Sequence, residues 1–232
     1  NSNLTLLQRV HQNGAGFDLV SGGELRRLEA AGVPTGGAVF AGVAKQRWEI
    51  EAAARAGILF FNVESPHELP LLAEVGAALQ QRLRVALRLN PNVDANTHAY
   101  ISTGRQENKF GVPLEQAGEV VRSLVHERWL ELVGYHVHLG SQLRRVEPYR
   151  DALAAVLAFA DGAPERREGL RYYDLGGGFG IGYGDGAALD VGAVADELLP
   201  VLRSRQLVPV VEPGRYVVGD AGVLVTRVLG QK

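Results

Sequence analysis

Tyr172-Tyr-Asp-Leu-Gly-Gly-Gly-Phe-Gly180 decides the fold, together with Val208-Pro-Val-Val-Glu-Pro-Gly-Arg215 downstream of it. Each opens on a short apolar or aromatic run and ends in a turn of small residues. Each therefore reads as a strand with a loop at its C-terminal end, here Tyr172–Gly176 and Val208–Glu212. Between them Val191–Arg205 carries a helical pattern. Strand, helix, strand is the unit of a parallel sheet with right-handed crossovers.

The same unit recurs upstream. Further strand candidates are Phe17–Ser21, Ala38–Gly42, Leu59–Glu64, Arg84–Asn90 and Leu132–Gly140. Most are apolar throughout rather than alternating, as expected of parallel strands covered on both faces. Helical patterns at Leu4–Gln12, Glu24–Ala31, Gln46–Ala56, Pro66–Val75, Leu114–His126 and Pro148–Ala160 separate them. Seven strands are one short of a (β/α)₈ barrel, and the chain opens on a helix. The expectation is an α/β fold of TIM-barrel type whose first strand lies upstream of Asn1. An open doubly wound sheet has the same periodicity and stands as the alternative. Gly222–Leu229 reads as one more strand with nothing after it to pair with. Residues 1–221 are thus expected as the barrel domain and 222–232 as the first strand of a second, β domain. Pro91–Gly111 is a long polar connection, of a length that is usually functional or disordered.

Composition narrows the function. The 232 residues are 46% apolar, enough for a sizeable core, and the net charge is −2 with acids and bases interspersed. That balance offers nothing to nucleic acid or an anionic membrane. No apolar run approaches bilayer length, and no signal-peptide pattern opens the chain, so a cytoplasmic protein is expected. The absence of cysteine excludes disulfides and thiolate metal sites. Methionine is absent even at position 1, so the sequence reads as a piece of something longer.

In a barrel the chemistry sits at the C-terminal ends of the strands, and the loops after strands seven and eight often bind phosphate. With the upstream strand counted, those loops are Gly176-Gly177-Gly178 and Glu212-Pro213-Gly214-Arg215. Consecutive glycines let backbone N–H groups approach an anion, and an arginine clamps its oxygens. Taken alone, the glycines are equally a tight turn. Glu212 ends an apolar strand and should point into the barrel mouth. There it pairs either with Arg215 or another nearby arginine, or with a pyridinium nitrogen. His136 and His138 share one face of their strand. Their i, i+2 spacing suits a metal pair, but no third ligand is evident, so no metal is expected. His138 is better placed to stack on a ligand ring, and Ser141 with Gly140 adds donors to a phosphate. Arg88 on a barrel strand must be paired or face a ligand. Asp18 and Ser21 are polar groups near the mouth, and Glu24 suits the start of the next helix.

In sequence order these segments resemble the fold-type III pyridoxal-phosphate (PLP) enzymes, the alanine-racemase-like barrels that include ornithine and diaminopimelate decarboxylases. Phe17-Asp-Leu-Val-Ser-Gly-Gly-Glu-Leu25 is similar to the second-strand motif. Phe40-Ala-Gly-Val-Ala-Lys45 and Phe61-Asn-Val-Glu-Ser65 fall where expected. Thr97-His-Ala-Tyr-Ile-Ser-Thr-Gly104 and Glu107-Asn-Lys-Phe-Gly111 resemble the diaminopimelate branch in particular.

The resemblance implies PLP as cofactor. Its phosphate would be held by Gly176, Gly177, Gly178, Ser141, Gly214 and Arg215. Glu212 would contact the pyridine nitrogen and His138 would stack on the ring. Arg88 is expected near the ring, Asp18 near the Schiff-base lysine, and Arg215 at the substrate carboxylate. The implied reaction is loss of CO₂ from the D-configured centre of meso-diaminopimelate to give L-lysine, by a homodimer. The Schiff-base lysine is expected just upstream of Asn1, since the lysines present are Lys45, Lys109 and Lys232. A cysteine acid and a tyrosine are expected from a C-terminal β domain outside this chain. Alternatives are a PLP-dependent decarboxylase or racemase of another amino acid, and a non-catalytic PLP-binding regulatory protein.

Overall fold

A computed structural model describes residues 2–93, 110–184 and 186–230. The strands are β1 (Phe17–Leu19), β2 (Ala38–Phe40), β3 (Phe60–Val63), β4 (Leu83–Asn90), β5 (Val112–Pro113), β6 (Leu130–His136), β7 (Tyr172–Asp174) and β8 (Val208–Val210). The helices are α1 (Leu4–Gln12), α2 (Gly22–Ala30), α3 (Arg47–Arg55), α4 (Leu69–Leu79), α5 (Leu114–His126), α6 (Glu147–Asp161), α7 (Val191–Ser204) and α8 (Gly214–Val218). Every strand pairing is parallel, in the order β1-β2-β3-β4-β6-β7-β8. The short β5 pairs with the far end of β4 and had no counterpart in the sequence reading. Two residues are too few to show a period.

Local chemistry sets the helix starts. Asn3 caps α1 by accepting from the Leu6 N–H at 3.0 Å, and Asp190 caps α7 by accepting from the Ala193 N–H at 3.1 Å. Ser21 caps α2, while the Glu24 carboxylate accepts from the Val20 N–H at 2.7 Å. Ser21 and Glu24 therefore serve the helix terminus, and the local reading of both is sufficient.

The sheet curls, which decides between the two expected architectures. In a flat sheet β3 and β7 would lie three strand spacings apart, roughly 14 Å. Here the Phe60 and Tyr172 rings are 5.3 Å apart, and Asn62 Nδ2 donates to Asp174 Oδ2 at 3.2 Å. The inner face forms its own small core of Val39, Phe60, Ala86 and Val133, with Leu59, Tyr172 and Val210 against it. The outer face packs on the helices through a larger cluster that includes Leu25, Leu28, Ile50, Leu72, Val121 and Val156. Two cores separated by one curved parallel sheet describe a partial (β/α) barrel. Its edges are β1 and β8, which do not pair with each other.

Residues 222–230 make no ladder in the structure, although Gly222–Leu229 reads as a strand. Val223, Leu224 and Leu229 are more than 90% exposed there, so these apolar side chains are not covered by the described residues. The segments Thr97–Gly104 and Glu107–Lys109 lie outside the described residues.

Candidate functional site

Five inward-facing side chains from three strands and two loops meet at the barrel mouth. A bulge opposite Val85 and Ala86 resets the parity of β6, and His136 then falls in register with Arg88 and Asp174. Glu212 follows β8, with its side chain 7% exposed. Its Oε2 lies 3.6 Å from His136 Nε2 and 3.8 Å from His138 Nδ1, so both histidines share the face that alternation predicts. Asn62 Nδ2 bridges two carboxylates, donating to Glu212 Oε1 at 3.3 Å and to Asp174 Oδ2 at 3.2 Å. Of the two readings of Glu212, the pair with Arg215 does not form. Arg215 is exposed and reaches Gln142 Oε1 at 3.4 Å.

The electrostatics of this cluster separate its carboxyls. Burial alone would raise Glu212, but contacts from His136, His138 and Asp174 outweigh it and hold the carboxylate well below its usual range. Burial pushes Asp174 up to about 6, with Glu212 adding to the rise and His136 and the Gly176 N–H opposing it. Burial would lower His136, but Asp174 and Glu212 raise it above the usual imidazole value. Glu212 is thus the member that stays ionised. Asp18 lies on the inner face of the edge strand, in register with Val39. Its surroundings and the charges of Glu212, Asp174, Glu24 and Glu64 push its carboxyl upward. Asp18 is also open to solvent along the unpaired β1 edge, and that access tempers the rise.

The loops after β6, β7 and β8 interlock. Tyr149 Oη donates to the Gly177 carbonyl at 3.0 Å, and the Gly177 N–H donates to His138 Nδ1 at 3.3 Å. A Cβ on Gly177 would sit 2.2 Å from the Glu212 carbonyl oxygen, and one on Gly178 would sit 2.1 Å from that of Gly140. The glycines are therefore demanded first by neighbouring backbone. Among the described residues the Gly178 and Phe179 N–H groups make no hydrogen bond to protein. The exposed Ser141 hydroxyl and the Arg215 guanidinium complete a cradle of donors, with Gln142 tying the loops together through the Ile181 N–H and carbonyl. Open amides, a hydroxyl and a guanidinium in one place fit a phosphate group.

Around the rim, Arg88 pairs with the buried Glu64, and its guanidinium lies 5.4 Å from the Phe110 ring. Lys45 is buried, and its ammonium donates to the Gly42 carbonyl at 2.6 Å, the Asn62 carbonyl at 2.7 Å and Glu68 Oε2 at 2.7 Å. All three donors are used, so Lys45 is a strut between the loops after β2 and β3, not a free amine. Lys45→Met removes the ammonium from Glu68 Oε2 and from both carbonyls, and leaves that carboxylate oxygen unpaired. It should cost about 3 kcal/mol in chemical denaturation, as removal of one partner from a buried ion pair does. A loss under 1 kcal/mol would show that the ammonium is dispensable.

Sequence reasoning missed Asn62 and gave Asp174 no role. The only local signal was polarity within apolar strands, Asn62 in Phe60–Val63 and Asp174 after two tyrosines. A polar residue at such a position needs a partner.

A family model described as pyridoxal-dependent decarboxylase, pyridoxal binding domain, matches residues 1–219. The chain belongs to the pyridoxal-dependent decarboxylases. Membership makes PLP the cofactor of this domain, and the interlocked loops are the part of the structure that fits its phosphate. Among curated decarboxylases, the diaminopimelate decarboxylase of Pseudomonas aeruginosa is 45% identical over 228 residues, covering 98% of this chain and 55% of that protein. That of Helicobacter pylori strain J99 is 40% identical over 232 residues, covering 100% of this chain and 57% of that protein. The chain thus spans about half the length of the curated relatives it matches. The crystal structure of Helicobacter pylori diaminopimelate decarboxylase complexed with L-lysine matches with a TM-score of 0.85 at 39% identity, over 94% of this chain and 55% of that one. The lysine decarboxylase of Selenomonas ruminantium matches with a TM-score of 0.78 at 25% identity, over 100% of this chain and 60% of that one. No helix among the described residues is long and apolar enough to cross a membrane.

Proposed function

We propose that this chain is the cofactor-binding barrel of an enzyme that decarboxylates the D-configured centre of meso-diaminopimelate to L-lysine. The observation that carries the chemistry is Glu212, a carboxylate kept ionised at the barrel mouth by two histidines. The substrate assignment rests on 39% identity to a diaminopimelate decarboxylase structure, against 25% to a lysine decarboxylase structure.

Bound PLP supplies an electron sink for the pair released as the Cα–carboxylate bond breaks. The residues of the chain prepare for that step. Glu212 holds a proton at the ring nitrogen, because an ionised carboxylate in a low-dielectric pocket favours the protonated ring. Asn62 fixes the direction of that carboxylate through Oε1. His138, steadied by the Gly177 N–H, offers its imidazole face to the ring. Ser141, Gly176, Gly177, Gly178, Gly214 and Arg215 take the phosphate, and Arg215 also meets the substrate carboxylate. Arg88, held by Glu64, sits beside the ring. Asp18, on the open edge strand, is the carboxylate that an amine on an adjoining strand would meet.

The saturated ammonium of Lys45 supports a Schiff-base lysine elsewhere than Lys45. Residues 1–221 form the barrel, and 222–232 lead into a second β domain, which would cover Val223, Leu224 and Leu229. The intact enzyme is read as a cytoplasmic homodimer.

The test is product analysis with the protein at the full length of its relatives. The expected result is CO₂ release from meso-diaminopimelate with L-lysine as the sole enantiomer. Preferential turnover of L-lysine would move the assignment to the lysine decarboxylases. Absence of turnover with PLP bound would favour a regulatory role.

A further inference from the structure

The mouth of the barrel also presents a set of metal-ligating atoms. His136, His138 and Glu212 each offer one ligand atom, and these lie within 4.8 Å of one another. The shared carboxylate oxygen, Glu212 Oε2, is 3.6 Å from His136 Nε2 and 3.8 Å from His138 Nδ1. Ligands around a tetrahedral Zn²⁺ with bonds of ~2.1 Å stand ~3.4 Å apart. Two edges of such a site therefore need only a few tenths of an ångström of closure. The third edge closes by movement of His138, whose side chain is 35% exposed and held on the ligating atom by one long hydrogen bond.

A second observation points to a cation. The His136 imidazole is buried to 1% exposure, its Nδ1 has no partner, and its Nε2 has only Glu212 Oε2 at 3.6 Å, beyond hydrogen-bond distance. A buried polar atom without a partner is costly, and a metal bond would satisfy one of these nitrogens. The guanidinium of Arg88 is committed to Glu64 and does not fill this position.

We propose that His136, His138 and Glu212 form a three-ligand site for a Zn²⁺-class divalent cation when the cofactor is absent. Two imidazoles and one carboxylate select zinc, cobalt or nickel over magnesium and calcium, which prefer all-oxygen shells. Three protein ligands leave a fourth position for water, facing the mouth. Glu212 and His138 are also the groups assigned above to the pyridine ring, so metal and PLP should exclude each other. This last clause rests on the proposed function, and the metal site itself does not.

The test uses the untagged, cofactor-free chain, in which no cysteine can supply a competing thiolate. Co²⁺ is the spectroscopic probe. The expected result is one Co²⁺ per chain with the visible absorption of a four-coordinate site, displaced by one equivalent of Zn²⁺ and untouched by millimolar Mg²⁺. Glu212→Gln keeps the side chain's shape and an acceptor for Asn62 but loses the ligating charge. It should weaken Zn²⁺ by at least ~100-fold, beyond the effect of losing an outer-shell partner. His136→Gln should do the same, with near-UV circular dichroism confirming that both variants are folded. Zn²⁺ binding of unchanged affinity in the two folded variants, or six-coordinate Co²⁺ absorption in the parent, overturns the site. PLP should bleach the Co²⁺ band. If both bind together, the metal site stands and the assignment of Glu212 and His138 to the ring falls.

Discussion

Glu212→Ala, in the protein at full length, is expected to lower decarboxylation on the order of 10²–10³-fold while leaving PLP affinity within a few-fold, as loss of a preorganised electrostatic partner does. The asymmetry follows from where the residue acts. The phosphate cradle is made by the loop amides, Ser141 and Arg215, none of which uses the Glu212 side chain. The carboxylate acts at the ring nitrogen, where positive charge matters most as the carbanion electrons arrive. That is stabilisation of a transition state and not uniform binding, so kcat should fall and KM should change little. Glu212→Gln sharpens the test. Glutamine keeps the acceptor for Asn62 and loses the charge, so it should resemble alanine in turnover and the parent in stability. Near-normal turnover in Glu212→Gln would reduce Glu212 to a structural partner of His136 and His138. The proposed ring orientation would fall with it.

Gly178→Ala is expected to remove about 4 kcal/mol of stability and to abolish cofactor retention. Gly178 has φ +82°, in the left-handed region, and an added Cβ would sit 2.1 Å from the Gly140 carbonyl oxygen. The left-handed backbone costs ~1–2 kcal/mol for an alanine, and overpacking against rigid backbone adds ~1–3 kcal/mol. The strain falls on both halves of the cradle, because Gly140 precedes Ser141 and Gly178 carries one of the two open amides. Gly214→Ala is the comparison, since a Cβ there meets nothing within 4 Å. It should unfold with the parent midpoint in urea. If Gly178→Ala matched Gly214→Ala in stability, the close approach of the β6 and β7 loops would not be a constraint on this fold.

The same glycines show what is legible in a sequence and what is not. Their run after an apolar strand marks a turn, and their place after the seventh expected strand marks a phosphate loop. The turn is present in the geometry, with Gly176 and Gly178 in the left-handed region, and the phosphate loop is the reading proposed for it. The reason glycine is required differs from the one the run suggests, because Gly177 and Gly178 abut the carbonyls of Glu212 and Gly140. Those neighbours belong to other strands. Glu212 shows the same division. Its position at the end of an apolar strand places it in the mouth, but its partners are His136, His138 and Asn62, not the arginine three residues on. Arg88 was identified as needing a partner, and only packing identified Glu64. Lys45 was set aside on its motif, and the reason it holds no free amine is three acceptors, from the loop after β2, strand β3 and the start of α4.

By itself the sequence determined the βα order, the parallel sense of the sheet, the helices opening at Leu4 and Val191, and which loops carry the glycines, Glu212 and Arg215. These depend on periodicity, capping and turn chemistry, which act over a few residues and are written locally. Tertiary structure decided that the sheet curls, and that Asn62 bridges Asp174 and Glu212 across 112 and 150 residues of chain. It also set Glu212 apart as the carboxylate that stays ionised. Those outcomes depend on burial and on distances between strands that no local pattern encodes, because a buried carboxyl takes its charge from whichever groups the closed sheet brings against it.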